Sequence, residues 1–113
     1  MKAMKTISVP LSIDALNRLD IDQSLPGDLE EIYLNDAELE ALFSSGIVNE
    51  INHHLGKIID DYENESIQAL QDLKAMLGLL EAKISQNDLP VLQKIISLTK
   101  IAIVNKTGVF FYF

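Results

Sequence analysis

Hydrophobic positions in this chain recur with two periods, and the changes between them mark out its elements. In "KTISVPLS" (5–12) Ile7 and Val9 alternate with polar neighbours, the period of a strand, and Pro10 marks its edge or end. Ser12 then has the position of an N-cap for a brief helix, "IDALNRL", where Ile13, Ala15, Leu16 and Leu19 take helical spacing. "DIDQSLPGD" is a loop around the turn dipeptide Pro26-Gly27. "EEIYL" (Glu30–Leu34) fits two readings: Ile32 and Leu34 alternate as in a strand, but a first helical turn accommodates them too.

Helical spacing dominates from Asn35 onward. Asn35 and Glu38 stand three apart, the arrangement of a capping box, ahead of a stripe of Leu39, Leu42 and Phe43, with Gly46 as a stop. Ile47, Val48, Ile51, Leu55, Ile58, Ile59 and Tyr62 predict a second helix over 47–62, with Gly56 inside it at a cost of roughly 1 kcal/mol relative to alanine. Ile67, Leu70, Leu73, Leu77, Leu80 and Ile84 step by three and four, with Met76 widening the stripe, which predicts a helix over 65–84. After "SQND", Asn87 or Asp88 is the expected cap of a last helix with Pro90 in its first turn, running to about Val104. The chain ends on strand formers, "VFFYF" (109–113). The fold class is therefore α+β, mainly α: three to four amphipathic helices with a small sheet formed by short N-terminal and C-terminal strands. Pairing of those two strands is expected because the aromatic run needs cover on both faces.

Composition sets the scale. At 113 residues, with 48% hydrophobic and 23% charged side chains, residues 1–113 read as a single domain with one core, since chains divide only beyond roughly 250 residues. There is no cysteine, hence no disulfide, thiol nucleophile or cysteine-ligated zinc, which suits a reducing cytoplasm. The N-terminus lacks the apolar core of a signal peptide, and "VFFYF" is far shorter than the ~20 residues of a membrane helix.

Charge changes the picture more. The net charge is −8, but it is segregated: from Asp14 to Asp72 there are 15 acidic residues against Arg18 and Lys57, a local −13. Such a surface is a poor partner for phosphate backbones, which are bound through lysine and arginine, and it would steer a basic protein toward it.

The densest acidic stretch is "IIDDYENESI" (58–67). As a calcium loop it fails at the sixth place, where Ser66 stands instead of the required glycine, and the apolar stripe resumes at Ile67 before the loop could close. As a catalytic pair of carboxylates it lacks an apolar cleft to raise one pKa, and no glycine-rich, sugar-binding or aromatic platform is expected beside it. His53 and His54 are adjacent, so on a helix their rings diverge by about 100° and do not share an ion; Glu50 with His54 is the minimal alternative. No catalytic triad signature, phosphate-binding loop or dinucleotide fingerprint is present. The reading is no enzyme, no metal and no cofactor. "MKTISVPLSIDALNRLD" has the cadence of a ribbon-helix-helix regulator, but its strand is less basic than groove reading requires.

Over Asn35–Phe113 the chain resembles bacterial immunity proteins of the polymorphic-toxin and contact-dependent growth inhibition kind. The features carrying the resemblance are "IIDDYENESI" between amphipathic helices, the acidic middle and the closing strand "GVFFYF". The resemblance implies a cytoplasmic antidote that binds a cognate toxin domain, often a basic nuclease, and occludes its active site. Implied contact residues are Asp60, Asp61, Tyr62, Glu63 and Glu65, followed by Glu38 and Glu40. Direct binding of nucleic acid or membrane is not expected, and oligomeric state is left open. The alternative is a nucleic-acid mimic of the anti-restriction or anti-CRISPR type, in which carboxylates stand in for phosphates.

Overall fold

A computed structural model describes residues 5–60 and 64–113. Among these the order of elements is β1 (Lys5–Pro10), α1 (Ile13–Asp20), β2 (Leu29–Leu34), α2 (Asp36–Ser44), α3 (Ile47–Leu55), β3 (Asn64–Ile67), α4 (Leu70–Gln86), α5 (Pro90–Asn105) and β4 (Val109–Tyr112). The strands form one antiparallel sheet in the order β2-β1-β4-β3. The α+β class and the expected pairing of the terminal strands hold. The described residues carry five helices and two further strands, β2 and β3.

Strand register explains why the aromatic end run splits into two faces. Ile7 lies opposite both Ile32 and Phe111, which puts them on one side with Val9, Ile67, Val109 and Phe113. That side is the core: Ile7, Val9, Ile67 and Val109 are fully buried. Phe110 and Tyr112 point to the other side and are half-buried. The helices α4 and α5 form a hairpin, and α5 packs on β1, β2 and β4. Being covered by the sheet on one side and by α4 and α2 on others, α5 buries a wide set, Val91, Leu92, Ile95, Leu98, Thr99 and Ala102. The Thr99 hydroxyl donates to the Ile95 carbonyl at 2.8 Å, which satisfies it within the core. On the opposite face lies α1, whose Ala15 is buried against β1. Its C-terminal end brings Asp22 near the Tyr112 phenol. Burial, with the charges of Asp22 and Glu31, raises the pKa of Tyr112.

Several local expectations are met. Ser12 Oγ accepts the Ala15 amide at 3.0 Å. Asn35 and Glu38 form the reciprocal capping box, with Glu38 N–H donating to Asn35 Oδ1 at 2.8 Å and Asn35 N–H to Glu38 Oε1 at 3.2 Å. Glu30–Leu34 is a strand, paired along its length with β1. Others need correction. The second helix ends at Leu55 rather than Tyr62, because Gly56 takes a left-handed conformation (φ 63°) that stops a helix instead of continuing it. The next helix starts at Leu70 rather than Glu65, since Asn64–Ile67 joins the sheet. Its stripe is also narrower than the spacing suggests: Leu73, Met76 and Leu80 are buried, whereas Leu77 is half-buried and Leu70 exposed. The cap of α5 is Leu89, not Asn87 or Asp88; Asp88 accepts from the Gln93 side chain instead.

Candidate functional site

The described residues at the start of the acidic stretch are held by contacts that the sequence hides. Beyond Gly56 the chain is held by Asn52, whose side chain donates to the Ile59 carbonyl at 2.9 Å and accepts the Ile59 amide at 2.8 Å. This two-point bond buries Ile59 and leaves Ile58 outside at 68% exposure, though both belonged to the predicted helical stripe. Asp60 follows on the surface. Asp61, Tyr62 and Glu63 lie outside the described residues. Glu65 has a different task from the one expected of a docking carboxylate. It is half-buried, and its two oxygens accept the amides of Ile58 (3.2 Å) and Ser66 (2.9 Å), which ties Ile58 to the start of β3.

Glu38 is likewise engaged. It closes the α2 cap and meets Lys94 of α5 at 3.3 Å, and its pKa is lowered by the Asn35 amide first and by Lys94 after it. Glu40 is exposed on the same helix. Two positions apart on a helix, Glu38 and Glu40 diverge by roughly 200°. Leu34 and Asn64 both stand at the end of the sheet where Lys5 enters it, so the start of α2 and the start of β3 lie toward the same end, at opposite edges. Of the candidate residues that are described, Glu38 and Glu65 are thus brought toward one end of the molecule but are not gathered on one patch.

Two depressions flank them. One of about 300 Å³ lies between the first turns of α2 and α5, lined by Ala37, Glu38, Ala41, Leu89, Pro90 and Val91 with Asn35. The other, about 180 Å³ and shallow, is lined by Asn64, Glu65, Ser66, Phe110 and Tyr112. Here an expectation fails: an aromatic surface does adjoin the acidic stretch. Phe110 and Tyr112 stack with ring centroids 6.4 Å apart and an angle of 16° between planes. They are far off in sequence, and the β3–β4 pairing alone places them there.

Histidine chemistry finds no support in the geometry. His53 and His54 are exposed in the last turn of α3, their rings 6.0 Å apart and inclined at 72°. Glu50, the acidic residue spaced to share an ion with His54, is paired with Lys83. Among the described residues no group of three or more histidine, aspartate or glutamate side chains is placed to hold a metal. Likewise, no described helix is long and apolar enough to cross a membrane. The ribbon-helix-helix arrangement is unavailable, because β1 is an interior strand with β2 and β4 on its two sides and has no edge to offer a second copy.

A surface that the sequence reading did not single out is β2. Glu30, Glu31 and Tyr33 are exposed along this edge strand, and the loop before it carries exposed Ile21 and Leu25. Asp28 fixes that loop: its carboxylate receives a two-pronged bond from Arg18 at 2.7 Å and the Leu25 amide at 2.8 Å. The Arg18 bond and then the Leu25 amide lower its pKa to about 2. The available signal for the edge was the alternation of Ile32 and Leu34 after a Pro-Gly turn.

Comparison with family models, with curated proteins and with solved structures found no match. The functional reading therefore rests on the molecule itself.

Proposed function

We propose that this protein is an antidote: a cytoplasmic, non-enzymatic protein that binds a basic toxin domain, a nuclease in the leading case, and covers its active site with an acidic surface. The observation that carries this reading is the segregation of charge. Fifteen acidic residues against two basic ones fall between Asp14 and Asp72. Eight of the acidic ones, Asp14, Asp20, Asp22, Glu30, Glu31, Asp36, Glu40 and Asp60, are exposed. A surface so uniform in sign repels other acidic molecules and accelerates encounter with a basic one. The described flanks of the acidic stretch support the reading in a second way. Asn52 holds the backbone of Ile59, and Glu65 holds the amides of Ile58 and Ser66, so the exposed Asp60 follows a fixed stretch and would lose little freedom on binding. In this reading Asp60, Asp61, Tyr62, Glu63 and Glu40 make contact, while Glu65 and Glu38 position the elements that carry them.

The test begins with the adjacent genes. The expected outcome is a neighbouring open reading frame that is toxic on expression, relieved by this protein, with relief lost in a variant carrying Asp60→Lys, Asp61→Lys and Glu63→Lys. Glu65 is left intact so that Ile58 stays tied to β3. Full relief by that variant would remove this stretch as the contact site. No toxic neighbour, or toxicity that this protein does not relieve, would overturn the antidote reading; capture of several unrelated DNA-handling proteins would favour a nucleic-acid mimic.

A further inference from the structure

We propose that the outer edge of β2 is a docking edge that accepts an extended, lysine- or arginine-bearing segment of the partner as a fifth strand of the sheet. The inference rests on the antidote reading only for the partner's positive charge.

The first ground is the state of the edge. β2 is six residues long and pairs with β1 on one side. In an antiparallel pair every second residue turns its N–H and C=O away from its neighbour. Among the described residues no hydrogen bond reaches the outward groups of Leu29–Leu34. A row of this kind is a template for another strand. The opposite edge is finished differently. β3 has four residues, and the amide of Ser66 is taken by the Glu65 carboxylate.

The second ground decides what the occupant is. Register places Glu30 on the same face as Val9, Ile32 and Leu34, at the rim of the core, and Glu31 and Tyr33 on the other face. An incoming strand sets its side chains about 5 Å from those of β2. An apolar strand would strand the Glu30 carboxylate at a partly desolvated rim. A second copy, paired about a two-fold axis through Glu31, would set Glu31 against its own image and each Glu30 carboxylate against Ile32 of the other copy. A strand with lysine or arginine opposite Glu30 and apolar residues on the Tyr33 face meets neither penalty, while Glu31 accepts the Ser8 hydroxyl of the neighbouring strand at 2.8 Å. Within residues 20–36 six acidic side chains occur and no basic one, so the approach to this edge is acidic throughout. Tyr33, Ile21 and Leu25, 54%, 60% and 56% exposed, supply apolar contact beside the charges.

The probe is a short synthetic peptide alternating lysine and valine, titrated to millimolar concentration into the full-length protein and followed by amide NMR and hydrogen exchange. Two controls accompany it, the same peptide with glutamate for lysine, and the lysine peptide with every second amide N-methylated. The expected result is slowed exchange at alternate amides of 29–34 and binding roughly tenfold tighter than for the glutamate peptide. N-methylation and the variant Glu30→Lys should each abolish it, with the remaining amide shifts of the free variant unchanged. Equal binding of the N-methylated peptide, shifts confined to residues outside β2, or no binding would overturn the edge as a docking site. If the edge fails while toxin relief in cells persists, the antidote reading survives without it. If the edge binds and no neighbouring toxin is relieved, the strand-accepting edge stands and the antidote reading falls.

Discussion

β2 and β3 close the same sheet at opposite edges, and the chain finishes the two edges in different ways. β3 is short, its Ile67 is fully buried, and the Glu65 carboxylate occupies an amide at its start and that of Ile58 before it. β2 is longer, buries Leu34 alone to a similar degree, and leaves its glutamates on the surface. Acidic side chains serve both edges, but Glu65 satisfies backbone donors of its own chain and Glu31 accepts the buried Ser8 hydroxyl at 2.8 Å, whereas Glu30 sets the charge of a free rim. The same residue type is structural at Glu65 and Glu31 and available for recognition at Glu30. Local composition does not tell the two apart; register and burial do.

The largest effect that would test this contrast is truncation of the apolar residue at each edge. Ile67→Ala, at a fully buried site, should lower stability by about 2–5 kcal/mol, whereas Ile32→Ala, half-buried on β2, should cost clearly less. Equal losses in chemical denaturation would mean that the edges are equally integrated in the core. Next comes Gly108, just before β4. A Cβ there would stand 2.9 Å from the Ile67 carbonyl oxygen and 2.7 Å from Cγ of Gln68, so the backbone of the β3 exit must move to admit it. Gly108→Ala should cost about 1–3 kcal/mol and loosen β3 in particular, read as faster amide exchange at 64–67 than at 29–34.

Asp28 anchors the β2 side and carries a pH signature. Its carboxyl titrates at about 2 in the folded protein against an ordinary 3.8, because the Arg18 guanidinium and the Leu25 amide favour the ionised form. A group with a depressed folded pKa stabilises fully above its unfolded pKa, and that contribution is lost as pH falls through the folded one. Asp28→Asn should therefore melt below the parent at neutral pH. The gap should hold down to about pH 5 and close between roughly pH 4 and 2. A gap that stays constant to pH 2 would show that the Arg18 pair does not depend on the charge of Asp28.

How much of this was legible in the sequence depends on the range of the interactions involved. The caps at Ser12 and Asn35 and the helices α1, α2 and α5 are set by residues three or four apart, and their spacing shows. The pairing of the terminal strands follows from the need to cover the aromatic end run. The failures cluster around 56–69. There Ile58, Ile59 and Ile67 continue a helical rhythm, but Gly56 adopts positive φ, Asn52 captures Ile59, and β4 recruits 64–67 as a strand. Each of these outcomes is decided by a partner that periodicity does not contain. The candidate contact residues suffered the same way. Asp60 is on the surface as expected, but Glu65 and Glu38 are committed to backbone amides and to Lys94, and the exposed edge at Glu30–Tyr33 stayed hidden in an ambiguous pentapeptide.

A smaller perturbation separates the roles of the two sets of glutamates. Glu65→Gln keeps the shape of the side chain but replaces one of its two acceptor oxygens with an NH2 group, so only one of the Ile58 and Ser66 amides keeps an acceptor, and a neutral one. A loss of about 1–2 kcal/mol is expected from one weakened and one lost hydrogen bond near the surface. Exchange at Ile58 and Ser66 should quicken while β2 is unaffected. A uniform change across the sheet would deny Glu65 its local task.

The smallest effect on stability, and the sharpest on behaviour, is expected from Glu30→Val. The site is exposed, so folding free energy should move by no more than about 0.5 kcal/mol. What the substitution removes is the charge at the core-side rim of an open edge, and edge strands lacking such a charge pair with one another. Sedimentation should therefore show more concentration-dependent self-association than in the parent, suppressed again by adding Ile32→Lys on the same face. The matching change at the other edge, Asn64→Val, should leave association unchanged, because β3 offers a shorter row with the Ser66 amide already occupied. If Glu30→Val stays as dispersed as the parent, Glu30 is not what keeps the edge of β2 open, and length or twist must be doing so instead.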